Sequence, residues 1–200
     1  MMQAFRAFFS HDGRIAPRAP LARLKLVRRF AQGNDGMTTV EFGLVALPFL
    51  ALLFAILETT MIFFASQTLE TAVADAARLV LTGQAQSQGF APSDFRTAVC
   101  ARVHGLLDCQ NGLQIDVRTY ASFSAINNAP PVDTHGNLQT SSFGYTPGSA
   151  CDIVVVRLMY QWPVYVSMLG LDRLANLSGS NRLIMATAAF RNEPYGSVSC

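Results

Sequence analysis

The residues of this chain whose types could do chemistry are few and scattered. His11, His104 and His135 lie far apart, so no two are placed by sequence to act as base and orienter. Serines are plentiful, but none sits in a Gly-x-Ser-x-Gly turn, and no phosphate-binding glycine loop occurs. Cys100-x3-His104-x4-Cys109, with Asp108 alongside, is the one arrangement that resembles a metal ligand set. Its spacing is not a common zinc pattern, and an oxidising compartment would join the two thiols instead. Neither catalysis nor a metal nor a cofactor is expected, so the chain does not read as an enzyme. More informative are two carboxylates, Glu41 and Glu58, that stand at the two ends of a long uncharged run.

That run is the element that positions them. From Phe42 to Leu57 no residue carries a charge, and with Glu58 tolerated the stretch stays apolar to Ala65. Twenty-four residues of helix extend about 36 Å, enough to cross a hydrocarbon core of about 30 Å. A helix that is apolar all round must be buried on every side, and no second segment of comparable apolarity exists to enclose it in a soluble core. A membrane span from Phe42 to Ala65 is therefore expected. Glu41 at its start costs free energy in lipid unless paired, so it asks for a cation. Pro48 removes one helical hydrogen bond and is expected to kink or loosen the helix. Glu58, near the far interface, is expected to reach headgroups and water.

Gly36-Met37-Thr38-Thr39-Val40-Glu41-Phe42 fits the type IV prepilin cleavage pattern of a Gly, four residues, a Glu and an aromatic, directly ahead of an apolar helix. The wider run to Glu58 resembles the TadE-like proteins, pseudopilins of the Tad (Flp) pilus assembly system. Val40-Glu41-Phe42, Leu47-Pro48 and the closing Glu58 carry that resemblance, and Phe190 to Tyr195 is similar to a C-terminal segment of family members. The middle of the chain shows no recognisable motif. The resemblance implies a pilin-like α+β fold, with a long N-terminal membrane-spanning helix packed on a small antiparallel sheet. It also implies cutting after Gly36 by a prepilin peptidase, which leaves Met37 as the new N-terminus. Gly suits that position because a backbone without a Cβ can enter a tight protease cleft. Glu41, with Phe42, would then serve subunit docking, its carboxylate meeting the Met37 amine of an adjacent subunit. The implied partners are other pilins or pseudopilins, the prepilin peptidase and the inner-membrane pilus assembly platform.

Charge and cysteine placement agree on a topology. The net charge of +2 hides an asymmetry: residues 1–36 hold seven basic side chains against Asp12 and Asp35, a net +5, whereas residues 66–200 sum to −1. Basic flanks stay cytoplasmic. Leu21, Leu24, Val27 and Phe30 repeat at helical spacing beside Arg23, Lys25, Arg28 and Arg29, which suits an anionic inner leaflet better than nucleic acid. A secretory signal peptide is excluded, since no small-residue cleavage site follows the apolar core. All four cysteines, Cys100, Cys109, Cys151 and Cys200, follow the apolar helix, where a periplasmic location would oxidise them. Three pairings are open, and Cys100 with Cys109 and Cys151 with Cys200 is favoured because the first pair closes locally.

Three regions are expected: a basic cytoplasmic leader at 1–36, a transmembrane helix continuing into a periplasmic spine at 37–83, and a disulfide-stapled periplasmic α+β domain at 84–200. Leu69, Val73, Ala76, Ala77 and Val80 extend one apolar helical face as far as Gly83, a natural stop, while Gln67, Glu70, Asp75 and Arg78 take the other. Ser93 is expected to cap a second helix carrying Phe95, Val99, Val103, Leu106 and Leu107 and ending near Cys109. Leu113 to Phe123 alternates with the period of a strand whose odd-numbered positions are buried. Residues 124–150, rich in Ser, Asn, Pro and Gly, read as a long exposed loop suited to contact, or as disorder. Ile153 to Tyr160 and Arg182 to Arg191 read as further strands. Between them Trp162-Pro163 breaks the pattern, and Val164 to Leu177 is a short helix or an irregular excursion.

Two function classes follow. One is a structural component, a minor pilin or pseudopilin of a Tad pilus in the inner membrane. The other is a single-pass envelope protein whose periplasmic domain binds a partner or ligand without joining a filament. Gly36 and Glu41 discriminate them, since a plain anchor has no use for a carboxylate five residues beyond a cleavable Gly.

Overall fold

The computed structural model describes residues 37–103, 105–165, 170, 173–196 and 198–200. The leader, Gly36 and His104 lie outside the described residues, as do residues 166–169 and 171–172 of the stretch expected to be a helix or an excursion after Val164. The chain divides into two compact units, 1–48 and 49–200. Of the first, only helix is described: α1 runs Met37–Leu81, with Pro48 inside it. Helix α1 is long and apolar enough to cross a membrane.

In the second unit, α1 buries one stripe. Ala55, Glu58, Ile62, Ala65, Leu69, Ala72, Val73, Ala76, Ala77 and Val80 are buried, a spacing of three and four that keeps them on one face. Gln67, Glu70, Asp75 and Arg78 are exposed on the other, as their polarity dictates. Gly83, at φ 71°, ends the run and leads into a single turn, α2, Gln84–Ser87. Helix α3, Pro92–Cys100, follows.

Two expectations about α3 are corrected. Its cap is Ala91 rather than Ser93: Pro92 takes the first helical position, and the Asp94 carboxylate accepts the Ala91 N–H at 2.9 Å. Proline there has its φ pre-set and gives up only an N–H that would lack a helical partner. The helix also stops at Cys100 instead of continuing to Cys109, because those two cysteines are joined with Cα atoms 5.6 Å apart. Val103 and Leu107 are buried nonetheless, from irregular backbone. Arg96 donates to the carbonyls of Cys109 and Leu113 at 3.2 and 2.7 Å and so ties α3 to the start of the sheet.

The sheet is antiparallel and ordered β1-β2-β3: β1 Leu113–Tyr120, β2 Ile153–Pro163 and β3 Asn181–Arg191. Val117 pairs with Val156 and Val156 with Ala188, which sets the register across all three. On one face Leu113, Val117, Val154, Val156, Leu158, Ile184 and Ala186 form a core with Leu69, Val73 and Val80 of α1 and Phe95 and Val99 of α3. That arrangement is α+β, a long apolar N-terminal helix with a small three-stranded antiparallel sheet.

Strand β2 is buried from Ile153 to Met159 without interruption. A continuous apolar run of this kind signals a strand covered on both faces. The second cover is the 124–150 segment, a mostly exposed loop as expected, whose partly buried residues nevertheless pack on the sheet. Val132, Leu138 and Phe143 pack on Met159, Leu177 and Leu183. Its backbone follows the free edge of β1, where Val117 N–H donates to Gly144 and Thr146 N–H donates to Val117, both at 2.8 Å. Edge strands left open pair with other chains, so the segment also protects an edge. Within it, Asp133 accepts the N–H groups of His135 and Asn137. The Asn137 N–H is the main cause that holds the Asp133 carboxyl below its ordinary range.

Other boundaries shift for local reasons. Strand β1 ends at Tyr120, and Phe123 is exposed in a 3-10 turn, Phe123–Ala125, rather than buried in the strand. Strand β2 passes through Trp162 and Pro163, which was expected to break the pattern. Beyond Tyr160 it pairs only with β3, so the missing proline N–H costs no ladder bond on its open side.

Candidate functional site

The described part of the first unit presents apolar side chains with one carboxylate among them. Glu41 is exposed, as are Val40, Leu44, Val45 and Leu47, and Phe42 is 73% exposed. An exposed carboxylate on an apolar helical surface is a place for a cation to bind once water is removed. Pro48 sits inside the helix and offers no N–H to the Leu44 carbonyl. In the second unit the exposed apolar surface of α1 continues through Phe49, Leu53, Phe54 and Leu57 to Phe63 and Phe64. The hydroxyls of Thr59 and Thr60 turn back on the carbonyls of Ala55 and Ile56 at 2.8 and 2.7 Å. Those bonds let two hydroxyl residues sit in an apolar stretch without leaving a donor unmet.

Glu58 differs from its expected setting. It does not reach outward to headgroups and water but lies 8% exposed against the sheet domain. Its Oε1 accepts the backbone N–H of Tyr165 at 2.7 Å, across 107 positions of sequence. Residues 55, 58 and 62 are thus covered by the domain on one side while Ile56, Leu57 and Met61 remain exposed. The last eleven residues of the expected span, 55–65, therefore already carry a buried stripe on one face.

The C-terminal segment singled out from sequence closes over the other end of α1. Asn192 is 1% exposed. Its side-chain nitrogen donates to the carbonyls of Pro147 and Ser149 at 3.0 and 2.9 Å, and its backbone N–H donates to Asp152 at 2.8 Å. Glu193 N–H donates to the Leu81 carbonyl at 2.9 Å, which satisfies an acceptor the helix end would otherwise leave open. Tyr195 lies against Gly83. The segment is a latch joining the helix end, the 124–150 cover and the start of β2.

Both favoured cysteine pairs are disulfides in the structure, Cys100 with Cys109 and Cys151 with Cys200. Two of the three side chains in the Cys-His-Cys arrangement are thereby committed to each other, and His104 lies outside the described residues. Among the described residues no group of three His, Cys, Asp or Glu stands together as a metal site would require.

Sequence reasoning missed Tyr165 and the Asp116–Arg157 pair. Nothing in the spacing of Glu58 and Tyr165 connects them, although the Trp162-Pro163-x-Tyr165 cluster marks the end of an apolar strand with aromatic residues. No curated protein and no solved structure matches the chain. Residues 36–78, which hold Gly36, Glu41, Pro48 and Glu58 together, match the TadE family model, described as TadE-like protein, the family the sequence resembles.

Proposed function

We propose that this chain is a minor pilin or pseudopilin of a Tad (Flp) pilus assembly system, a structural and interaction component with no catalytic role. The observation that carries the reading is the family match over residues 36–78 on a helix whose first part is exposed and apolar around Glu41. An association with pilus components follows from the family. The finer role adds that the leader lies in the cytoplasm, α1 crosses the inner membrane and the sheet domain stands in the periplasm. A prepilin peptidase cuts after Gly36. Glu41 then receives the Met37 amine of a neighbouring pilin as subunits leave the bilayer for a filament or its assembly platform. Within one helix that amine is about 6 Å along the axis from Glu41 and constrained by the first turn, whereas a neighbour's amine can slide into register.

Paired variants test the reading. Gly36→Leu should leave the full-length form, and the mature wild-type protein should begin at Met37 on N-terminal sequencing. Glu41→Gln and Glu41→Ala should be inserted and cut normally while pilus assembly, or recovery of partner pilins by crosslinking, is lost. Retention of the leader in cells that process other pilins, or normal piliation in both Glu41 variants, would reduce the protein to an anchored envelope domain.

A further inference from the structure

The bond between Glu58 and Tyr165 joins a buried carboxylate on α1 to a backbone N–H just beyond β2. A backbone N–H in a connecting segment can ordinarily be left to water, and a carboxylate on a helix surface can do the same. Here the carboxylate is buried and the N–H is spent on it at 2.7 Å, while the Tyr165 side chain is 79% exposed. Around Glu58 the exposed surface of α1 is still apolar, with Leu57 before it and Met61, Phe63 and Phe64 after it. The neighbouring Thr59 and Thr60 hydroxyls are turned back on helix carbonyls rather than held out for water. The segment leaving β2 therefore reaches α1 at a level where the helix is dressed for lipid, and it presents a tyrosine there.

We infer that Tyr165, held to α1 through Glu58, is a contact with the membrane surface that seats the sheet domain at a fixed depth against the bilayer. The occupant is lipid because the patch is continuous with the apolar helix surface that runs through Phe54 and Leu57. A tyrosine suits the headgroup level, since its ring accepts the acyl boundary and its hydroxyl accepts water. Glu58 is a positioning residue: it satisfies the Tyr165 N–H where water is scarce and fixes the height at which the connection crosses the helix. The inference rests on α1 spanning the membrane and goes beyond it by placing the domain's own chain at the interface.

Trp162 is the single tryptophan, so a Trp162→Phe background allows one reporter at a time. Full-length protein carrying either Phe54→Trp or Tyr165→Trp is reconstituted in phosphatidylcholine and phosphatidylglycerol vesicles whose lipids are brominated near the headgroup or deep in the chain. The Phe54→Trp reporter should be quenched most by deep bromines. The Tyr165→Trp reporter should be quenched most by shallow bromines, by about twofold over unbrominated lipid. Adding Glu58→Gln, which keeps an oxygen to accept the N–H, should leave that quenching in place. Adding Glu58→Ala should lower it to the level of a tryptophan in water. If Phe54→Trp is quenched while Tyr165→Trp is not, the domain stands clear of the bilayer and the inference is wrong. Quenching at Tyr165→Trp that vanishes as protein is concentrated would assign the patch to a second copy of the chain, again overturning it. If neither reporter is quenched, the membrane span itself fails and the inference falls with it.

Discussion

Asp116 is the residue on which the outer face of the sheet turns. It is 2% exposed and accepts from Arg118 Nε at 2.8 Å and from the Gly144 N–H at 3.0 Å. Directly across the ladder stands Arg157, whose guanidinium lies 3.9 Å away and also donates to the Tyr120 hydroxyl and the Asn127 carbonyl. One carboxylate thus ties two strands to both ends of the covering segment. Removing one partner of a buried pair leaves the other charge uncompensated, so Asp116→Ala should cost about 3 kcal/mol. Asp116→Asn keeps an acceptor for Gly144 and should cost less. Urea midpoints for the two variants check the order, and equal midpoints would show that the acceptor for Gly144 contributes nothing beyond the charge. Period alone assigns Asp116 to a solvent face, since it alternates with Leu113, Ile115 and Val117. That assignment fails because period reports which residues share a face, not whether a distant loop will cover it. Asp116 opposite a strand whose only charge is Arg157 was the available clue.

Elements with strong periodicity were legible in the sequence; where they stop was less so. Helix α1 keeps one stripe from Leu69 to Val80 and ends beside a glycine, as the pattern of apolar residues dictates. Helix α3 was read as nine residues too long because Val103, Leu106 and Leu107 continue the period. Two expectations excluded each other there. A helix from Cys100 to Cys109 would separate their Cα atoms by about 13.5 Å, twice the reach of a disulfide. The covalent bond decides, and the chain turns back. The cover at 124–150 was not legible because Val132, Leu138 and Phe143 follow no period and its order comes from Asx-type bonds at Asp133. At the far end of α1, Gly83 takes φ 71°, and a Cβ there would come within 2.5 Å of the Tyr195 ring. Gly83→Ala therefore meets two penalties, a left-handed backbone at about 1 to 2 kcal/mol and a clash. Combining it with Tyr195→Ala should relieve the clash and leave the backbone term. A double-mutant cycle on thermal unfolding reads the difference, and strict additivity would show that the latch does not press on the helix end.

Across the whole molecule, covalent links and charge sort the chain. All four cysteines lie in the second unit and are joined in pairs, while the net +5 of residues 1–36 precedes α1. The two links are unequal. Cys151 and Cys200 are 49 positions apart and hold the C-terminal latch closed over the start of β2, whereas Cys100 and Cys109 are nine apart. Restricting the unfolded chain by a longer loop removes more entropy, about 4 kcal/mol for the first link and about 2.5 for the second. Against a total stability of about 5 to 15 kcal/mol, either is a large share. A periplasmic domain can keep both links, but a cytoplasmic one would be reduced. Cells treated with a membrane-permeant alkylating agent before lysis should yield protein with no cysteine modified until it is reduced. In detergent micelles, replacing both Cys151 and Cys200 by Ser should lower the urea midpoint further than replacing both Cys100 and Cys109. Alkylation of all four thiols in the intact cell would place the domain on the reducing side of the membrane. It would reverse the topology that the charge asymmetry implies, and it would remove the docking role proposed for Glu41, because that proposal has subunits assemble outward with their folded domains outside.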